Sequence, residues 1–142
     1  MRIIDAHSHC WLGANSDDMA PVRELVSEMD HFGVERSLVI STQTNAQTLA
    51  ITAVDPMRLH PVASIDPTGE VGTNLQFIES NSSRFKAIKL YPGYDSFYPN
   101  EEICKPIYDL PREKAFRCSS IAATSLSPMG GSSTLCQFIW MT

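Results

Sequence analysis

His7 and His9 are the residues of this chain best equipped for chemistry. They close the first apolar run, Ile3-Ile4-Asp5-Ala6-His7-Ser8-His9, which reads as a short buried strand. Successive strand side chains point to opposite faces, so residues two apart share one. The two imidazoles therefore project side by side from the strand end, a half-site for a divalent metal such as zinc. Asp5 lies on the same face one step deeper, where a carboxylate can orient a ligand from behind. A His-x-His pair also occurs as ordinary packing. Here it is followed by a loop with Gly13, Asn15 and Ser16, and in α/β proteins ligands bind beyond the carboxyl ends of strands. Cys10 directly follows His9, faces the other way and is a poor third ligand.

The elements that must position the pair follow in a regular rhythm. Asp17-Asp18 can cap a helix running to about His31, whose apolar stripe is Val22, Leu25, Val26, Met29 and Phe32. Gly33 is placed to stop it. Arg36 to Ser41 reads as a second strand, with Leu38 and Ile40 on one face and Ser37, Val39 and Ser41 on the other. A helical stretch from Ala46 to Val54 stops before Pro56. Leu59 to Asp66 is a third strand, Gly69 to Ser80 a weaker helix, and Phe85 to Tyr91 a fourth strand. A further helix opens at Asn100 or Glu101 and reaches about Lys114. Strands that each precede a helix give the βαβ order of a parallel sheet. In the fourth strand Ile88 and Leu90 would pack on helices, while Ala87, Lys89 and Tyr91 take the other side, as suits a barrel interior near its mouth. An open doubly wound sheet is the alternative, but no G-x-G-x-x-G or phosphate-binding loop follows any strand.

Composition narrows the classes. The chain has 142 residues, enough for one ordinary domain with a core. A formal net charge of −5 argues against nucleic acid or an anionic membrane as partner. No apolar run has the roughly 18 residues of a membrane-spanning helix, and no signal segment precedes Met1-Arg2-Ile3, so a cytoplasmic location is expected. The four cysteines, Cys10, Cys104, Cys118 and Cys136, show no C-x-x-C spacing and are expected to be free thiols.

Three segments, IIDAHSH, HPVASIDP and KAIKLYPGYDSFYPN, together resemble the metal-dependent amidohydrolase superfamily. The nearest branch is that of the amidohydrolase-related TIM-barrel hydrolases and decarboxylases. The resemblance covers residues 1–114, and the H-x-H pair is its most specific part. It implies the N-terminal half of a (β/α)8 barrel, about four βα units, with His7 and His9 as ligands of a divalent metal, zinc in the first instance. Lys89 falls where some members carry a carboxylated lysine bridging two metals; an inward structural lysine is the other reading. Tyr91, Tyr94 and Tyr98 either line the mouth or pack loops. The implied reaction on a small-molecule substrate is hydrolysis of an amide, ester or lactone carbonyl by metal-activated water. A decarboxylase of the same branch is the alternative. The family also uses histidines on strands five and six and an acid on the last strand.

None of those later groups is present. Residues 115–142 contain one charged residue, Arg117, and are dense in serine and threonine, with no helix or strand period. Codons can be chosen for KAFRCSSIAATS (Lys114 to Ser125) such that restoring one upstream base spells KGLPVFIHCGDI, a fifth strand ending in the missing histidine. SPMGGSSTLCQFIWMT can likewise be recoded towards PDGRLKYSVPIYLDD. The expectation is a half-barrel over 1–114 followed by an irregular, out-of-frame tail over 115–142, itself inactive. A genuine short protein with a Ser-rich end is the competing view. So is a non-catalytic fragment that binds a partner or itself through open strand edges or the apolar end Phe138-Ile139-Trp140-Met141.

Overall fold

The computed structural model describes residues 3–12, 18–40, 43–92, 95–113 and 119–122. The protein is α/β, with parallel strands alternating with helices in sequence. It divides into two compact units, one of Met1–Ser64 with Arg84–Lys86, the other of Ile65–Ser83 with Ala87–Thr142.

The first unit holds β1 (Ile3–His9), β2 (Val34–Ile40) and β3 (Leu59–Ser64), joined by helices α1 (Ala20–Phe32) and α2 (Asn45–Thr52). β1 pairs parallel with β2, and β2 with β3. The intervening helices supply the crossover that a parallel pair needs. Asp18 helps to start α1, its Oδ1 accepting from the Ala20 N–H at 2.9 Å, and Gly33 ends it at φ 67°, a left-handed conformation that glycine takes without strain. Val22 and Met29 are buried in a core with Cys10, Val39, Ile51 and Leu59, and Leu25 and Val26 pack against it. Phe32, expected on the same stripe, is exposed. At roughly 100° per residue it sits about 80° off the line through Val22, and it makes an edge contact with His31 instead.

α2 is fixed at its start. Thr44 accepts from the Gln47 N–H at 3.2 Å and donates to Gln47 Oε1 at 3.0 Å, a variant of the capping box. The buried Asn45 side chain then grips the end of β3 twice. Its Nδ2 donates to the Ser64 carbonyl and its Oδ1 accepts from the Ser64 N–H, both at 2.8 Å. Arg58 closes the opposite end of the unit, donating to Asp30 Oδ1 at 2.7 Å and to the Val34 carbonyl at 3.1 Å.

The second unit holds α3 (Val71–Ser80), β4 (Ala87–Leu90), a 3-10 turn (Glu102–Cys104), α4 (Lys105–Glu113) and β5 (Ser119–Ala122). All four β4 residues are buried. Strand three stops earlier than expected because Asp66 turns the chain. Its Oδ1 accepts from the Thr68 N–H at 2.8 Å and from the Thr68 hydroxyl at 2.7 Å. Cys104 is a buried free thiol, and the Tyr108 hydroxyl donates to the Pro99 carbonyl at 2.7 Å. Burial is the main reason that Tyr108 is pushed up to about 12, with Cys104 adding to it.

One expectation is corrected here. The segment after residue 114 was expected to lack regular structure, yet Ser119–Ala122 pairs parallel with Ala87–Leu90 in register. Strand pairing is made by backbone groups, so a run of serines does not prevent it. The rest of that tail, with Cys118, Cys136 and Phe138 to Met141, lies outside the described residues, as does the proposed boundary at 114/115. No helix among the described residues is long and apolar enough to cross a membrane.

Candidate metal centre

β1 is irregular where it carries the histidines. Asp5 pairs with Ser37 but Ser8 with Val39, so three steps along β1 match two along β2. Such a bulge re-aims the side chains it contains. Asp5 stabilises it, its Oδ1 accepting from the His7 backbone N–H at 2.9 Å. The carboxylate therefore holds the strand at His7 and not a ring nitrogen, which refines the role read from the sequence. Ser8 points the other way, buried, with its hydroxyl against Ser37 and donating to the Leu38 carbonyl at 3.2 Å. This anchors the strand between its two histidines.

The result is convergence. His7 Nε2 and His9 Nε2 lie 2.9 Å apart, with the rings edge to face. His9 Nδ1 is 2.9 Å from the Ile40 carbonyl oxygen. A carbonyl only accepts, so Nδ1 carries the proton and the His9 Nε2 lone pair points at His7. Fixing the far nitrogen in this way is how metal-binding histidines are usually oriented. Two nitrogens this far apart, each at the usual zinc distance of about 2.05 Å, would subtend about 90° at the ion. That is about 20° tighter than tetrahedral, so the pair meets two positions of a zinc site once the nitrogens part to about 3.3 Å. Among the described residues no group of three or more His, Cys, Asp or Glu side chains gathers to complete one. Cys10 is in the core on the opposite face, and burial pushes its thiol up, away from the thiolate that a metal needs.

The sequence reading passed over two participants. Ile40 acts through its backbone, which no residue pattern announces. Trp11 continues the 7, 9, 11 alternation past the strand end and stacks on His9, with centroids 5.9 Å apart and planes inclined by 26°. The signal for it was present in the spacing.

Lys89 and Tyr91 belong to the second unit. They share a face as expected. Lys89 is 1% exposed, and its Nζ lies 5.1 Å from the centre of the Tyr91 ring, within cation–π range. Tyr98 is exposed; Tyr94 lies outside the described residues. An open cleft of about 440 Å³ near the start of β2 is lined by Asp30, Glu35, Arg36 and Arg58 among others. It is at the amino end of that strand, whereas the histidines stand at the carboxyl end of β1. No family model, curated protein or solved structure matches this chain.

Proposed function

We propose that the chain carries the first metal-binding strand of an amidohydrolase-type, metal-dependent hydrolase acting on an amide, ester or lactone carbonyl. The observation that carries this reading is the convergence of the two Nε2 atoms at the end of β1, with His9 held by the Ile40 carbonyl. When bound, a divalent ion such as zinc lowers the pKa of water and polarises a carbonyl. The chain's own part is to hold that ion with His7 and His9, to fix the His9 tautomer through Ile40, and to fix the bulge through Asp5. No group of three or more ligating side chains gathers among the described residues, so on this reading the chain as written binds metal weakly and does not turn over.

The same proposal treats Lys114 to Ser125 as the fifth barrel strand read one base out of frame. The parallel pairing of Ser119–Ala122 with β4 supports it, because the recoded FIHC occupies those four positions and places a histidine where Ile121 now stands. The parent would then be a full barrel of about 250 residues.

Zinc titration by calorimetry tests both parts, on this chain and on the product of the gene with the base restored. We expect weak binding here that disappears in H7A and in H9A, and stoichiometric binding with hydrolytic activity in the restored protein. Zinc binding untouched by both substitutions overturns the metal reading. Tight, stoichiometric zinc in the chain as written overturns its description as an incomplete site. Release of carbon dioxide by the restored protein moves the parent to the decarboxylases.

A further inference from the structure

Trp11 occupies an unusual place for the largest apolar side chain type. Its neighbours Cys10 and Leu12 are both in the core, 4% and 6% exposed, whereas Trp11 is 51% exposed. Two buried flanking residues hold the backbone so that the residue between them faces away from the core, as in a strand. Trp11 therefore stands on the face of His7 and His9, its ring stacked on that of His9 with centroids 5.9 Å apart, and it is half exposed. The arrangement puts a flat, electron-rich surface next to a metal-binding pair. Two apolar anchors fix it there, so little ordering is required when a ligand arrives.

We propose that Trp11 selects the ligand of this site, favouring a planar conjugated ring attached to the group that meets the metal. This rests on the metal reading of His7 and His9. A saturated substituent beside the indole gains apolar contact alone. A flat ring also gains offset or edge-to-face stacking. Trp11 is thus a specificity-determining residue, and the substrate class it fits is a carbonyl compound with an aromatic or heteroaromatic ring adjacent to the reacting group.

The test uses the full chain with zinc, and two hydroxamates that present the same metal-binding group, one with a phenyl ring and one with a methyl. Calorimetry gives the affinity of benzohydroxamate and acetohydroxamate for the zinc-loaded wild type and for W11F, W11L and W11A. Wild type prefers benzohydroxamate by about five- to tenfold, the scale of one aromatic pair. W11F keeps the preference, while W11L and W11A reduce it to about twofold or less, the ratio being taken between two ligands on the same zinc-loaded variant so that a change in zinc affinity does not enter it. W11L retains apolar bulk without a ring, so it separates stacking from simple filling of space. Zinc bound through His7 and His9 with no ring preference in the wild type overturns this inference alone. The same holds for a preference that survives in W11L and W11A. Zinc binding indifferent to H7A and H9A removes the metal reading and this inference with it. If a Trp11 variant fails to fold, cyclohexanecarbohydroxamate on the wild type makes the same separation: weaker binding than benzohydroxamate supports stacking, and equal binding overturns the inference.

Discussion

At the scale of single residues, the half-buried His60 offers a titration that stability must follow. Burial lowers its pKa below the ordinary 6.5, and the positive charges of Arg36 and Lys86 lower it further. The unfolded chain therefore takes up this proton at a higher pH than the folded one. Between 6.5 and the lower folded value the unfolded state binds more protons, so stability falls as pH falls through that window and levels off below it. Above pH 6.5 the full contribution is present. H60Q removes the titration. Urea midpoints measured from pH 7.5 down to 5 should show a shallower loss for the variant than for the wild type; equal slopes would deny His60 this role. The same residue-level logic governs the histidine pair, where one backbone carbonyl, that of Ile40, decides which His9 nitrogen is available.

At the scale of elements, the joint between α2 and β3 depends on a single amide. Asn45 satisfies both backbone groups of Ser64, and neither has a substitute among the contacts described. Truncation in N45A leaves the part-buried N–H and carbonyl of Ser64 without this partner, at a cost of about 1–3 kcal/mol in all. Chemical denaturation should report a loss in that range, whereas a change below about 0.5 kcal/mol would mean that water replaces the amide. This joint also shows what the sequence made legible and what it hid. The strands and helices were readable because their apolar periods differ, two against 3.6. The i, i+2 spacing of His7 and His9 was enough to foresee that they share a face. It did not foresee the bulge between Asp5 and Ser8, since bulges are fixed by pairing across strands and not by local pattern. Asn45 looked like an ordinary polar helix residue, because its partner is a backbone 19 residues away. β5 was hidden for a similar reason: its serines carry no apolar alternation, and only pairing with β4 reveals the strand.

At the scale of the whole molecule, the outer edge of β1 is the feature expected to govern behaviour in solution. Among the described residues β1 pairs with β2 alone, and Ile4 is 60% exposed on it. A strand edge with open backbone groups and an apolar side chain is a template for pairing with another copy. We expect this chain to associate as its concentration rises in size-exclusion chromatography. I4K should shift it towards monomer, because natural edges are protected by lysine in this way. Unchanged elution of I4K would place the association elsewhere.

The convergence of His7 and His9 has a practical consequence at the bench. On the metal reading proposed above, two imidazoles with their nitrogens 2.9 Å apart would act as a chelate of the kind on which affinity resins depend. The untagged chain should be retained by a nickel-charged column and released by imidazole. A purification tag built from histidine would then compete with a site the protein already owns.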